Sequence, residues 1–466
     1  IGEPSVLRIQ VCLVDCTCFS LTGALEFLVP LRATHSESVS LLILFIFLNL
    51  DNVHTSFAQT IMTPGGICMH SLIFHVDVNS AFLSWESAKR LRDNPDALDL
   101  RTINAVIGGD EKMRHGVVLA KSPSAKKYGI MTGEPLSHAR QKCPELVVVP
   151  PDHELYAASS RKFIEILEEV APVIEQCSID EAFCDMTGTE KLYGDPIAFA
   201  TKLKDRIYKE LGFTVNIGIS TNKLLAKMAS DFEKPNRVHT LFPEEMATKF
   251  WPLPVESLYG CGKTTAKRLR SLGITTIGAL AKADRQMLLS NFKSQGDYLW
   301  ESANGISSSA VTAESPANKG YGNSVTLPYD VTDTENAHHI LLSLCETVGA
   351  RIRYDKAYIS VVQVQIVDND FHHRCKQLSL PSATNVTEKI YEAACNAFDQ
   401  GWDHAPIRLL GVSTSKATDE SYEQYNLFDQ DKFERLSKLN SAIDKIRDKY
   451  GDDAIVRACF ADTHKN

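Results

Sequence analysis

The chain has 466 residues, 44% of them hydrophobic and 23% charged, enough to bury several cores and too ordinary a mixture for a disordered or membrane-embedded protein. Its 49 Lys+Arg against 58 Asp+Glu leave a net charge of −9, which argues mildly against a protein that coats nucleic acid through overall basicity, although a whole-chain sum can hide a basic groove. The cysteines are scattered, and Cys177, Cys184, Cys345 and Cys395 sit singly in apolar stretches. That is the pattern of reduced, core-filling thiols in a cytoplasmic protein, not of a disulfide framework. Cys12, Cys16 and Cys18 form the one cluster, and no partner pair follows at zinc-finger spacing.

The first residue is Ile1 and Met69 opens the first convincing element, so residues 1–68 read as an N-terminal extension outside the functional fold, the alternative being a short packed accessory segment. Within it, Leu41–Leu50 is strongly apolar but about half the length of a membrane-spanning helix. The first convincing element is a strand over Leu72–Val78, leading through Asn79-Ser80 into a helix over Ala81–Leu91. Strands follow at Ala105–Gly109, Gly116–Ala120 and Val147–Val149. Short helices at Pro123–Tyr128 and Leu136–Gln141 are broken by Gly129 and by Gly133-Glu134-Pro135. His153–Ala171 has helical spacing; Ile174–Cys177 and Ala182–Met186 form a hairpin around a polar pair. A helix (Pro196–Leu211), a strand (Thr214–Ile219) and a helix (Asn222–Phe232) complete an α+β core. From Pro252 the texture becomes that of a small helical unit with a basic helix, Lys263–Leu272. The Ser/Ala/Gly-rich stretch Ser302–Asn318 reads as a linker. Asn323–Ser415 gives strand, helix, two strands, helix, strand, a second α+β domain. A polar tail carries a final helix over Asp431–Tyr450.

The strongest chemical signal is Asp180-Glu181 in CSIDEAFCDMTG. Adjacent acids at a hairpin are ordinarily solvated turn residues, but here apolar strands flank them, and burying two like charges without a cation is costly. Asp77 ends an apolar strand in the same way. Three such carboxylates on neighbouring strands make a hard oxygen site suited to Mg²⁺.

FHVDVNSAF, SIDEAF and GISTNKLLAKMASDFEKPN, in that order and spacing, resemble the palm motifs of Y-family (translesion) DNA polymerases, nearest to the polymerase IV-like enzymes. The resemblance spans about residues 69–430. It implies a right-hand fold: palm at 69–81 and 141–236, fingers at 82–140, a helical thumb at 237–305, a linker at 306–317, a little finger at 318–415, and a tail at 416–466. It further implies an error-prone, lesion-bypass DNA polymerase in which Asp77, Asp180, Glu181 and the carbonyl of Val78 hold two Mg²⁺ ions. Its substrates would be primer-template DNA and a deoxynucleoside triphosphate (dNTP). Asn79 stands where many relatives have a second Asp.

Phe82 falls at the family's steric gate, whose ring excludes a ribose 2′-OH; outside that context it reads as a core aromatic at a helix start. The fingers depart from the commoner pattern and resemble those of the polymerase V catalytic subunit. Ala120 and Pro123 replace hydrogen-bonding residues, and Lys126 replaces an Arg, keeping the charge and losing the bidentate fork. Lys126 and Lys234 are the expected triphosphate-binding cations, and Arg237 stands where relatives often have Gly. The turn Gly108-Gly109-Asp110-Glu111-Lys112 has a superficial likeness to nucleotide cyclases, but its fifth residue is Lys where they carry an aromatic.

Tyr259-Gly260-Cys261-Gly262 with Lys263 and Lys267 resembles a helix-hairpin-helix, in which paired glycines bring backbone amides to phosphate; the alternative is an ordinary Gly-capped turn. Gln424-Tyr425-Asn426-Leu427-Phe428 has the QxxLF form of peptides that dock on the bacterial sliding clamp, unless Leu427 and Phe428 pack back on the chain. A second such match, Gln377–Pro381, falls in an expected strand and reads as structural. The expected protein is a cytoplasmic monomer without membrane attachment. The rival reading is a non-catalytic DNA- or clamp-binding accessory protein that keeps the polymerase fold. By region, the fingers carry 10 basic against 7 acidic residues and the thumb 9 against 6. The little finger carries 8 against 11, so it needs a concealed basic face if it grips DNA.

Overall fold

The computed structural model describes residues 71–114, 116–314, 316–419 and 430–460, with a few short strands before them. The chain divides into two units, Ile1–Cys68 and Met69–Asn466. In the first, Val6–Val11 and Leu25–Pro30 pair antiparallel. Leu41–Leu50 and the Cys12, Cys16, Cys18 cluster lie outside the described residues.

The second unit opens with strand β1 (Ile73–Val78) and helix α1 (Ala81–Asp93). A small three-stranded unit follows: β2 (Ala105–Gly108), β3 (Val118–Lys121), α2 (Pro123–Lys127), α3 (Leu136–Lys142) and β4 (Val147–Val149), with sheet order β3-β2-β4. Then come α4 (His153–Glu168), β5 (Val173–Gln176), β6 (Glu181–Asp185), α5 (Glu190–Tyr193), α6 (Pro196–Leu211), β7 (Val215–Ser220), α7 (Lys223–Ser230) and β8 (Val238–Thr240). These complete a five-stranded sheet of order β8-β7-β1-β6-β5, with β1 at its centre.

Alternation along β1 separates two faces. Phe74, Val76 and Val78 pack with Tyr156 and Phe163 of α4 and Leu203 and Ile207 of α6 in one core. On the other face Ile73 packs with Phe183 and with Ala226 of α7. The helices start where polar caps satisfy their free amides: Asp152 accepts from Leu155 N, Asp195 from Ala198 N, and Asn222 from Leu225 N. Gly212 ends α6 at φ +80°, a left-handed conformation that favours glycine.

Four helices form the next unit: α8 (Lys263–Ser271), α9 (Ile277–Ala281), α10 (Arg285–Phe292) and α11 (Ser294–Ala303). A second α+β layer pair follows: β9 (Gly322–Val331), α12 (Thr334–Tyr354), β10 (Ile359–Asp368), β11 (His373–Thr384), α13 (Thr387–Gly401) and β12 (Ile407–Ser415), with sheet order β9-β12-β10-β11. Its helices cover one face of its sheet through a single apolar core. The tail helix α14 (Gln430–Tyr450) lies on those helices. Arg353 Nε bonds Asp444 Oδ2 at 2.6 Å, and buried Asn440 accepts from Thr387 N at 3.0 Å.

Two expectations change. The described residues of the stretch 306–317 have no regular structure, yet the stretch is pinned: Val311 is buried beside Ile73, Phe183 and Ala226, and Thr312 N donates to Glu175 Oε2 at 3.0 Å. Of the four cysteines read as core fillers, Cys184 and Cys345 are buried, Cys395 is half-buried and Cys177 is exposed, because Cys177 leaves β5 at a hairpin turn on the sheet edge. No helix among the described residues is long and apolar enough to cross a membrane.

Candidate active site

Strand register assembles the acids. β6 runs antiparallel to β1 with Glu181 opposite Asp77, and β7 places Asn216 on the other side of Asp77. Val78 N donates to the carbonyl of Asp180 at 2.9 Å, so all three acids meet at the C-terminal end of the central strand. The hairpin is closed by Cys177 N and Ser178 N, which donate to Glu181 O at 3.1 and 3.3 Å. Ser178 Oγ donates to Asp180 Oδ1 at 2.6 Å, a contact that orients this otherwise open turn residue.

Helix α7 covers the same sheet face and brings cations. It approaches β7 so closely at Gly218 that a Cβ there would sit 2.0 Å from Ala226 O and 2.4 Å from Ser230 N. Only glycine permits this packing. Lys227 Nζ pairs with Glu181 Oε2 and lies 3.5 Å from Asp77 Oδ2 and 3.8 Å from Asp231 Oδ2. Lys234 Nζ, beyond the helix, lies 2.8 Å from Asp77 Oδ1 and 2.9 Å from Asp231 Oδ1. Burial opposes the charge on both lysines, but the surrounding carboxylates outweigh it and raise both pKa values.

His75 lies under this cluster, fully buried, with Nδ1 2.8 Å from Ser230 Oγ. Ser230 Oγ donates to Lys227 O at 2.8 Å, so His75 Nδ1–H is the donor in that contact. Nε2 then faces Glu181 Oε2 at 3.4 Å and has no hydrogen-bond partner. Burial lowers the His75 pKa. The His75 ring, and with it the Lys227 ammonium, hold Glu181 down to about 2. Since burial keeps the imidazole neutral and its contact lacks hydrogen-bond geometry, the ammonium is the firmer cause.

Among the described residues no three His, Cys, Asp or Glu side chains converge to metal-ligand distance. Asp77 is held by the lysines and Asp180 by Ser178. The donor set is nonetheless that of a hard cation, with carboxylate oxygens from three adjacent backbone positions. Glu181 Oε1 and Asp180 Oδ2 take no hydrogen bond or ion pair among the described residues.

The remaining expected residues divide by place. Phe82 stacks on Tyr156 at 4.4 Å and 11° and, like Leu119 and Ala120, packs against the cluster of Leu83, Leu100 and Ile107. Asn79 is buried: its Oδ1 accepts from Asn236 N at 2.8 Å, and its Nδ2 donates to Asn216 Oδ1 at 3.2 Å. This amide role suits Asn where a carboxylate would lack a donor. Lys126 is exposed on α2, and no ion pair holds it among the described residues. Gly260 has φ +82° and lies against the Tyr298 ring, and Gly262 caps α8 in the open. Lys263 and Lys267 are exposed on α8. Gln424, Leu427 and Phe428 lie outside the described residues. In the second clamp-like match, Leu378 and Leu380 pack on the core of their domain, so that segment is structural. The turn at Gly108–Lys112 closes on itself, Lys112 N donating to Asp110 Oδ1 at 2.8 Å.

Sequence reading missed His75, Asn216, Ser230 and Lys227. One signal was available for Lys227: a lone lysine among Leu224, Leu225, Ala226, Met228 and Ala229, where an unpaired cation does not belong.

The impB/mucB/samB family model matches residues 76–231, and the model of that family's C-terminal domain matches residues 318–427. The chain is 46% identical over 391 residues to DNA polymerase IV of Clostridium acetobutylicum, covering 84% of this chain and 98% of that one. It is 38% identical over 395 residues to DNA polymerase IV 2 of Bacillus subtilis, covering 83% and 94%. A solved Y-family DNA polymerase chimera has the same fold, with TM-score 0.64 and 24% identity over 75% of this chain and all of that one. The chain therefore belongs to the impB/mucB/samB family of Y-family DNA polymerases, beside the polymerase IV proteins.

Proposed function

We propose that the chain is a template-directed, lesion-bypass DNA polymerase whose reaction centre is Asp77, Asp180 and Glu181. The observation that carries this reading is the strand register that sets Glu181 opposite Asp77, with Asp180 bonded to the next residue of β1. These carboxylates, with the Val78 carbonyl, are the groups that would hold two Mg²⁺ ions. When bound, such a pair lowers the pKa of the primer 3′-OH and neutralises charge on the triphosphate. Lys234, 2.8 Å from Asp77, is the first proposed phosphate cation. Lys126 is the second proposed phosphate cation, as a point charge and not a fork. Phe82, braced from below, is proposed to exclude the ribose 2′-OH.

The five-stranded sheet would be the palm, residues 82–140 the fingers, residues 237–305 the thumb and residues 318–415 the little finger. In the thumb, Gly260, Gly262, Lys263 and Lys267 would approach the duplex backbone without reading its sequence. Gln424, Leu427 and Phe428 would dock on the bacterial sliding clamp, and the protein would act as a cytoplasmic monomer between such encounters. Three retained carboxylates in register oppose the non-catalytic accessory reading.

Primer extension with Mg²⁺ and all four dNTPs tests the centre. The full chain is expected to extend a primer, and Asp180→Asn is expected to abolish extension while primer-template affinity stays within about threefold. Turnover by Asp180→Asn at near wild-type rate removes the metal role. Binding of the full chain to a bacterial sliding clamp, lost on deletion of residues 424–428, tests the docking peptide. Retained binding assigns it elsewhere.

A further inference from the structure

Lys227 differs from the other cations of the site. Its side chain is only 13% exposed, and it enters from α7, whose position is fixed by the close approach at Gly218. A buried ammonium is stable only while it keeps its carboxylate partners; leaving it unpaired is among the costlier single defects. It therefore behaves as a permanent member of the site and not as a cation that can swing out. Its partner atom matters as much as its burial. Lys227 bonds Glu181 at Oε2, the oxygen that buried His75 Nε2 also faces at 3.4 Å. Ser230 sets that ring through Nδ1, and Ser230 Oγ in turn donates to the backbone carbonyl of Lys227. Lys227 is thus the group that bonds Oε2, with the histidine and serine packed beneath it, and Glu181 Oε1 keeps no partner among the described residues.

We infer that Lys227 is a positioning residue for the metal site: it holds Glu181 by Oε2 and presents Oε1 to a divalent cation. The inference rests on the reading of Glu181 as a metal ligand. It goes beyond that reading by assigning the group that aims the ligand. Outer groups of this kind are as consequential as the ligands they orient, their loss costing about 10- to 100-fold in metal affinity or activity.

The test is Mn²⁺ binding to the DNA-free full chain, followed by electron paramagnetic resonance, for wild type, Lys227→Met, Lys227→Gln and Lys227→Arg. The inference expects Mn²⁺ affinity to fall about tenfold or more in Lys227→Met and Lys227→Gln, with partial recovery in Lys227→Arg. It also expects a lower kcat at unchanged primer-template affinity. A glutamine variant is included because methionine in this polar cluster can fail to fold, and the folded variant then decides. Tighter Mn²⁺ binding in the variants would mean that the lysine only occupies the place of a metal, and unchanged binding would mean that it does neither; both overturn the inference. Asp180→Asn separates the two levels. If Asp180→Asn loses Mn²⁺ binding while the Lys227 variants keep it, only the positioning role fails. If Asp180→Asn keeps both binding and turnover, the metal reading itself fails.

Discussion

A steric gate works only if its ring cannot yield. Phe82 is stacked on Tyr156, with Trp85 at 6.0 Å and His153 edge-on at 6.2 Å. Tyr156 and Trp85 are themselves fully buried, so the brace beneath the ring does not move with solvent. Aromatic pairs in such geometry contribute about 0.5–1.5 kcal/mol beyond their buried area, which is what a sugar hydroxyl would have to overcome to tilt the ring. Phe82→Ala removes the obstacle and leaves Tyr156 in place as a floor. The ratio of kcat/KM for deoxy- over ribonucleoside triphosphates is expected to fall at least about tenfold, the change in selectivity that 1.4 kcal/mol represents. Unchanged sugar discrimination would place the gate at another side chain.

At the scale of elements, what could be read from the chain was what repeats locally. The alternation of Ile73–Val78 and the apolar flanks of Asp180-Glu181 announce strands, and the adjacent carboxylates between them mark where those strands bring acids together. What could not be read depends on distance along the chain. The pairing of Asp77 with Glu181 joins strands more than a hundred residues apart, and nothing local states their register. Gly218 looks like a weak point in a strand until α7 is laid upon it; then it is the reason Lys227 reaches Glu181. The linker shows the same limit. Its Ser/Ala/Gly composition predicts a free tether, but Val311, one apolar residue within it, finds a buried seat on the sheet face that carries Phe183. Lys223 closes this seat by pairing with Glu175 at 2.6 Å, one turn of α7 before Lys227. A single helix therefore anchors the linker at one end and aims the carboxylates at the other.

At the scale of the whole molecule, the net charge of −9 resolves into places. Two acids on the helical side of residues 318–415 are tied by the tail: Glu346 by Arg447 and Arg457, and Glu388 by Arg457. The tail thus supplies cations to the acidic helices. The opposite sheet face is not the basic surface that the charge count called for. In register across it stand Gln363, Gln377 and Ser413, then Gln365 and Ser324 on either side of Gly411, uncharged residues whose amides and hydroxyls form hydrogen bonds. Such a face can meet a phosphate backbone through hydroxyl, amide and main-chain donors, with a weak dependence on salt.

The edge of that sheet also reaches back to the unit of β2, β3 and β4. Arg114, in the turn between β2 and β3, bonds Asp330 of β9 at 2.5 Å. Close by, Thr326 of β9 lines a cavity of about 850 Å³ with Gly108, Gly109, Pro150 and His153. Both members of the pair are 29% exposed, so the contact is worth about 0.2–1 kcal/mol. That is too little to hold two domains against a bound duplex and enough to bias their spacing in its absence. Two consequences separate this from ordinary structural support. Arg114→Glu is expected to widen the distance between the two segments, measured by spin labels on residues 112 and 329, while thermal stability changes by less than about 1 kcal/mol. The exchanged pair, Arg114→Asp with Asp330→Arg, is expected to restore the wild-type distance, and raising salt should widen the wild type toward the single variant. A distance indifferent to both charge reversal and salt would show that packing around the cavity, and not the ion pair, sets the gap.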